Sequence, residues 1–131
     1  MKHLLMAAVS LIWLNAPAQQ NDPVAGTWRG TSKCQIQGSG CNDEAAVYYA
    51  SKIPGHNSYR FKMDKIVNGK DEAMGTLVFE MNYATRTLTA VNKSARGKGY
   101  WTFKVSGNTI HGTLTIDKKK LYRVIDLTRD K

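Results

Sequence analysis

The sequence predicts an all-β domain built as an eight-stranded antiparallel up-and-down meander barrel. Three observations lead there. Past Gly26 apolar and polar residues alternate with period two almost throughout, and no long stretch carries the 3.6-residue period of a helix. Turn-forming residues cut this alternation into eight short runs. A chain of 131 residues can bury one core but not two. Its 42% hydrophobic and 22% charged content is that of a folded domain, not of a disordered chain.

The runs span about 26–36, 44–53, 59–67, 74–82, 87–92, 98–105, 109–116 and 121–128. The third is the clearest, with Tyr59, Phe61 and Met63 on one face and Arg60, Lys62 and Asp64 on the other. Ile110 to Ile116 repeats the pattern, as do Leu77, Phe79 and Met81, then Trp101, Phe103 and Val105, then Leu121, Ile125 and Leu127. Pro54-Gly55, Asn68-Gly69, Ser106-Gly107-Asn108 and the polar 117–120 supply turns. Such short connections make neighbours antiparallel. Closure into a barrel leaves no exposed edge, and an open β-sandwich is the alternative. The inward set is expected to include Trp28, Tyr49, Tyr59, Phe61, Phe79, Trp101 and Phe103, with Gly30, Ser32 and Ala90 leaving room. Eight strands enclose space for side chains or for one small ligand, so a solid core and a ligand cavity are both compatible with this set.

The first residues read as an export signal. Met1-Lys2-His3 is a short positive segment, Leu4 to Leu14 is apolar, and Ala16-Pro17-Ala18 offers small residues for cleavage after Ala18. The apolar run is too short to cross about 30 Å of hydrocarbon. The expected organisation is a signal peptide over 1–18, a flexible N-terminus over 19–25 and a single barrel over 26–131. Cleavage removes only Lys2 among the charges and lowers the net charge from +9 to +8. The expected location is therefore periplasmic or extracellular. Export also turns Cys34 and Cys41, an even pair in an oxidising compartment, into an expected disulfide. Their spacing lacks the C-x-x-C redox signature, and the mature chain offers a metal only His56 and His111 besides.

Gly26-Thr27-Trp28, opening the first strand of an exported meander, resembles the G-x-W opening of the calycins: lipocalins, fatty-acid-binding proteins and avidins. The resemblance implies a basic residue from the last strand lying across that Trp. Arg123 fits by its place in the register of Leu121, Ile125 and Leu127. The long first loop and C-terminal helix of lipocalins are missing, and Arg29-Gly30-Thr31 does not match the polar donors of avidins, so biotin is not the expected ligand. The chain also resembles small exported bacterial proteins sharing G-T-W-x-G-x-S-x-C followed by C-x-D-E, here Gly26 to Cys34 and Cys41 to Glu44. That second resemblance carries no activity with it.

Catalytic signals are sparse. Asp43 and Glu44 are adjacent, which on a strand points them to opposite faces and spoils them as an acid–base pair. His111 lies among threonines on a polar face, and His56 lies in a turn. Nucleotide, dinucleotide, zinc-protease and serine-hydrolase motifs are lacking, and no cofactor or metal is implied. Binding is the expected role. In a meander alternate loops share one end, which here gathers Lys93, Arg96 and Lys98 with Lys118, Lys119 and Lys120 at the mouth away from Trp28. The expectation is an exported, non-catalytic binder of a small amphipathic or anionic ligand, or of an anionic envelope surface. A protein-interaction module such as an inhibitor of a secreted enzyme is the alternative, with Tyr83 as its candidate anchor, and an enzyme stands third. Nucleic acid is not an expected partner, because exposed aromatic residues interleaved with the basic ones are lacking and export argues against it.

Overall fold

A computed structural model describes residues 22–36, 38 and 40–131. The expected signal peptide and residues 19–21 lie outside the described residues. The strands are β1 (Gly26–Cys34), β2 (Glu44–Lys52), β3 (Ser58–Val67), β4 (Lys70–Asn82), β5 (Thr87–Ser94), β6 (Gly97–Ser106), β7 (Thr109–Ile116) and β8 (Lys120–Arg129). Each pairs with the next, and β1 pairs with β8, so the sheet closes in the order of the sequence. This is the predicted up-and-down barrel, not the open sandwich. Among the described residues no helix is long and apolar enough to cross a membrane.

The period-two pattern sets the core. Trp28, Tyr48, Tyr59, Phe61, Phe79 and Phe103 are fully buried, and Phe79 stacks on Phe103 with ring centroids 4.7 Å apart. Phe61 meets both rings, at 4.8 and 5.7 Å. These aromatics make the lower half of the barrel solid. Tyr49 was expected inside and is not there. Its strand carries a Tyr in each parity, and Ala46, Tyr48 and Ala50 are the inward set. Tyr49 instead stands on the outer wall, where its hydroxyl bonds Asp71 and Lys62 lies 5.3 Å from its ring.

The end near Trp28 is plugged by residues 22–25, which are ordered against the barrel where a loose N-terminus was expected. Asp22 Oδ1 accepts the Val24 and Ala25 N–H groups, and Trp28 Nε1 donates to Val24 O at 2.8 Å. The cation over Trp28 is Arg129, 5.1 Å from the ring, and not Arg123. Arg129 also donates to Asp22 O, Ala25 O and Asn108 Oδ1, so one guanidinium ties the last strand to the plug and to a turn. The physical reason is register: β8 pairs Arg129 with Trp28 and Arg123 with Cys34, six residues further along the wall. Between Leu114 and Thr115 the β7–β8 ladder slips, so Leu121 turns out to solvent and Tyr122 turns in. Gly30 leaves no free room either. A Cβ there would lie 1.9 Å from the Asp126 carbonyl oxygen, so glycine is what lets β8 cross β1 closely enough to close the barrel.

Cys34 and Cys41 form the expected disulfide, with Cα atoms 5.8 Å apart. Closing so short a loop is worth about 2–3 kcal/mol on the chain-entropy account. The Asn68-Gly69 turn has φ of 51° and 78°, the left-handed pair that a two-residue hairpin loop requires.

Trp28→Ala is expected to cost about 3–5 kcal/mol, because it empties a filled end of the core. Arg129→Ala is expected to destabilise by about 1–3 kcal/mol and to shift Trp28 fluorescence, whereas Arg123→Ala leaves that emission unchanged. Chemical denaturation followed at the Trp band separates the two arginines. Gly30→Ala is expected to abolish folding or to lower the midpoint more than either.

Candidate functional site

The upper half of the barrel is open, and the cause lies in β4. Its ladder with β3 runs from Ser58↔Glu80 to Val67↔Lys70, but Met74 is an extra residue between the pairs Met63↔Gly75 and Asp64↔Ala73. This bulge bends the hairpin. The Tyr49–Asp71 bond holds the bend, because it crosses the outer face of β3 at Asp64. Val47 and Asp64 point outward yet are almost fully buried beneath it. Lys62 bonds Asp64 Oδ2 at 2.7 Å, and the carboxylate holds the ammonium pKa above its ordinary value. With its upper part drawn back, β4 pairs β5 only through Glu80↔Thr89, Met81↔Leu88 and Asn82↔Thr87. Above that point the two strands part in a lateral seam.

A cavity of about 430 Å³ lies behind the seam and under the mouth. Met63, Met74, Leu77, Trp101, Leu114 and Tyr48 give it an apolar wall. Ser32, Glu44, Asn92, Arg96, Tyr122 and Arg123 give it a polar rim. Arg123 is the best-anchored of these. Its Nη1 lies 3.0 Å from Glu44 Oε1 and donates to Ser32 O, Ser32 Oγ and Asn42 O, joining β1, β2, β8 and the disulfide loop. Both side chains are only 13–14% exposed, so each desolvated charge depends on the other. Arg96 sits with its guanidinium 5.3 Å from the Tyr122 ring and has no ion-pair partner among the described residues. Asn92 Oδ1 accepts from Trp101 Nε1 at 2.9 Å, which fixes the indole as a wall. Burial, with the Glu44 charge nearby, raises the Tyr48 hydroxyl well above its ordinary pKa.

The structure divides the six expected mouth cations. Arg96 lines the cavity. Lys93 and Lys98 face each other across β5 and β6, and Lys98 and Lys118 lie over the Tyr100 ring, all on the outer wall. Lys119 is exposed in the adjoining turn, and Lys120 is exposed at the start of β8. Of the expected interior aromatics, Trp101 lines the cavity, while Tyr59, Phe61, Phe79 and Phe103 belong to the solid half. Asp43 accepts the Cys34 N–H, so the adjacent carboxylates serve a turn and an ion pair. His111 Nδ1 lies 2.7 Å from Asp126 Oδ1 on the outer wall, with both side chains more than half exposed. Tyr83 is tied by its hydroxyl to Tyr59, which bonds Asp22 in turn, so the candidate anchor serves the plugged end. Among the described residues no group of three or more His, Cys, Asp or Glu is placed to hold a metal ion.

Asn92, Tyr122 and Met74 are site residues that the sequence reading passed over, while Glu44 and Met63 were read only as a turn acid and an inward strand residue. Asn92 was legible, since it continues the inward parity of Leu88 and Ala90. Tyr122 was not, because a ladder slip turns it inward. Set against protein-family models and curated protein sequences, the chain matches none.

Tyr48 and Tyr59 both have hydroxyls raised above the ordinary value near 10, in each case chiefly by burial. Above pH 10 the unfolded chain loses protons that the folded one keeps, so stability falls as pH rises. The thermal midpoint is expected to drop between about pH 9 and 11. Tyr48→Phe is expected to flatten that slope while changing stability little at neutral pH. Thermal scans across the range check both.

Proposed function

We propose that the protein is a calycin-like carrier that binds a small amphipathic anion outside the cytoplasm. The observation that carries this reading is the cavity of about 430 Å³, apolar along Met63, Leu77, Trp101 and Leu114 and cationic at Arg96 and Arg123. That volume lies within the range of small-molecule sites, and a few convergent polar groups on an apolar wall suit a ligand with one charged end. Arg123 is already satisfied by Glu44, so Arg96 is the cation free to take the headgroup. Binding is favoured over catalysis because the one carboxylate in the cavity is held in an ion pair and the Tyr48 hydroxyl is held protonated.

Support for the calycin type comes from the closed end. Trp28 of the G-x-W opening is crossed by a basic residue of the last strand, Arg129, which fills the part first expected of Arg123. Support for export comes from the leader-like N-terminus and from the Cys34–Cys41 bridge, which suits an oxidising compartment.

The test is titration with a naphthalene-tailed fluorescent carboxylate and its uncharged alcohol analogue. Saturable one-to-one binding is expected, with Leu77→Trp blocking both probes by filling the cavity. Arg96→Ala is expected to weaken the carboxylate about tenfold, one charge-assisted bond's worth, and to leave the alcohol unchanged. Absence of saturable binding by the folded protein overturns the carrier reading.

A further inference from the structure

On the outer wall, strand register assembles a band of two aliphatic side chains, a tyrosine and a threonine. Val91 on β5 stands opposite Tyr100 on β6, Tyr100 opposite Thr115 on β7, and Thr115 opposite Leu121 on β8. Val91 is 52% and Leu121 42% exposed. Directly opposed side chains on a sheet stand about 5 Å apart, so the four form one continuous strip and not scattered residues.

A cationic rim borders the strip on its mouth side. Lys93 faces Lys98 across the ladder, and Lys98 and Lys118 hold their ammonium groups 6.0 and 5.0 Å from the centre of the Tyr100 ring. Lys119 is exposed in the same turn, and Lys120 opens β8 opposite Ile116. None of these five lysines has an ion-pair partner among the described residues. Asp117, the acid of that turn, is occupied with the backbone: its Oδ1 accepts the Lys98 N–H at 2.9 Å. Like charges directly opposed on a sheet destabilise it. The fold thus keeps a cluster of cations beside exposed apolar surface, and the Tyr100 ring is the one internal contact that Lys98 and Lys118 gain there among the described residues.

We propose that this strip and its rim are a docking surface for an anionic phospholipid bilayer. The lysines match phosphate headgroups, and their long stems let the ammonium groups reach them while Val91 and Leu121 enter the acyl boundary. Tyr100, within the strip, carries the rim cations over its ring, the position an amphipathic ring takes at a membrane interface. A soluble polyanion would satisfy the rim but offers the strip no apolar phase. The surface lies on the outer wall, so the proposal does not depend on the cavity being a ligand site.

The experiment is cosedimentation of the whole protein with phosphatidylcholine vesicles, pure or containing about one third phosphatidylglycerol. Binding to the anionic vesicles and not to the neutral ones is expected. Lys98→Glu with Lys118→Glu should lower partitioning roughly 30-fold or more, since each basic residue at an anionic surface contributes roughly fivefold. Tyr100→Ser with Leu121→Ser leaves the charge unchanged and should also abolish sedimentation; Val91→Ser alone, a milder change, should reduce it. Arg60→Glu with Arg86→Glu removes the same charge from exposed positions elsewhere and should retain most of the binding. Thermal midpoints verify that each variant is folded. The proposal is overturned if wild type ignores the anionic vesicles, or if the control pair loses as much as the rim pair. It is equally overturned if the serine variants bind like wild type, which would identify a polyanion-binding surface such as one for acidic polysaccharide.

Discussion

The β4–β5 contact governs the rest of this molecule. A closed barrel removes every sheet edge only when each ladder is continuous. Here β1 and β8 pair through seven residues each, but β4 and β5 through three. The shortfall is local. It begins where the Met74 bulge and the Tyr49–Asp71 bond bend the β3–β4 hairpin away from the wall. Without that bend the inward side chains of β4 would close on β5 and the upper core would fill as the lower one does. Cavity, seam and exposed Val78 follow from one extra residue and one bond across three strands.

The two ends of the barrel answer different physical demands. At the plugged end an aromatic core and the Arg129 guanidinium satisfy one another, and Asp22 and Ala25 supply carbonyls that accept from that guanidinium. At the mouth the same side-chain type does the opposite work. Arg123 is spent on Glu44, Ser32 and the disulfide loop, which holds three strands together around a space instead of filling it. A guanidinium with donors in a rigid fork suits both places.

Much of the fold was legible because alternation has only two phases and the turns announce themselves. Eight strands, their sequential pairing and the bridge follow from local patterns. The misreadings have a common origin. Tyr49 was misplaced because Tyr48 and Tyr49 offer equal apolar surface in both phases, and the choice belongs to their partners on β3. The residue over Trp28 was misplaced because a stacking partner depends on the stagger between first and last strands, which no local pattern records. Tyr122 was missed for a related reason: a slip of one residue on β8 inverts the sense of everything before it. The cavity was illegible in a deeper sense. It is made by the failure of two strands to pair, and the residues beside that failure, Thr76 to Val78 and Val91, read like any other strand.

The seam carries a liability of its own. Over residues 70–78 and 90–94 the backbone has neighbours on one side only, in a fold whose architecture otherwise offers no edge. Such a margin is a template for a strand from another copy, the first step of runaway polymerisation. The residues stationed along it act as guards. Lys70 begins β4 beside its free margin, and Lys93 stands on that of β5. Any surface that neutralises Lys93 also removes a charge that stands along this margin.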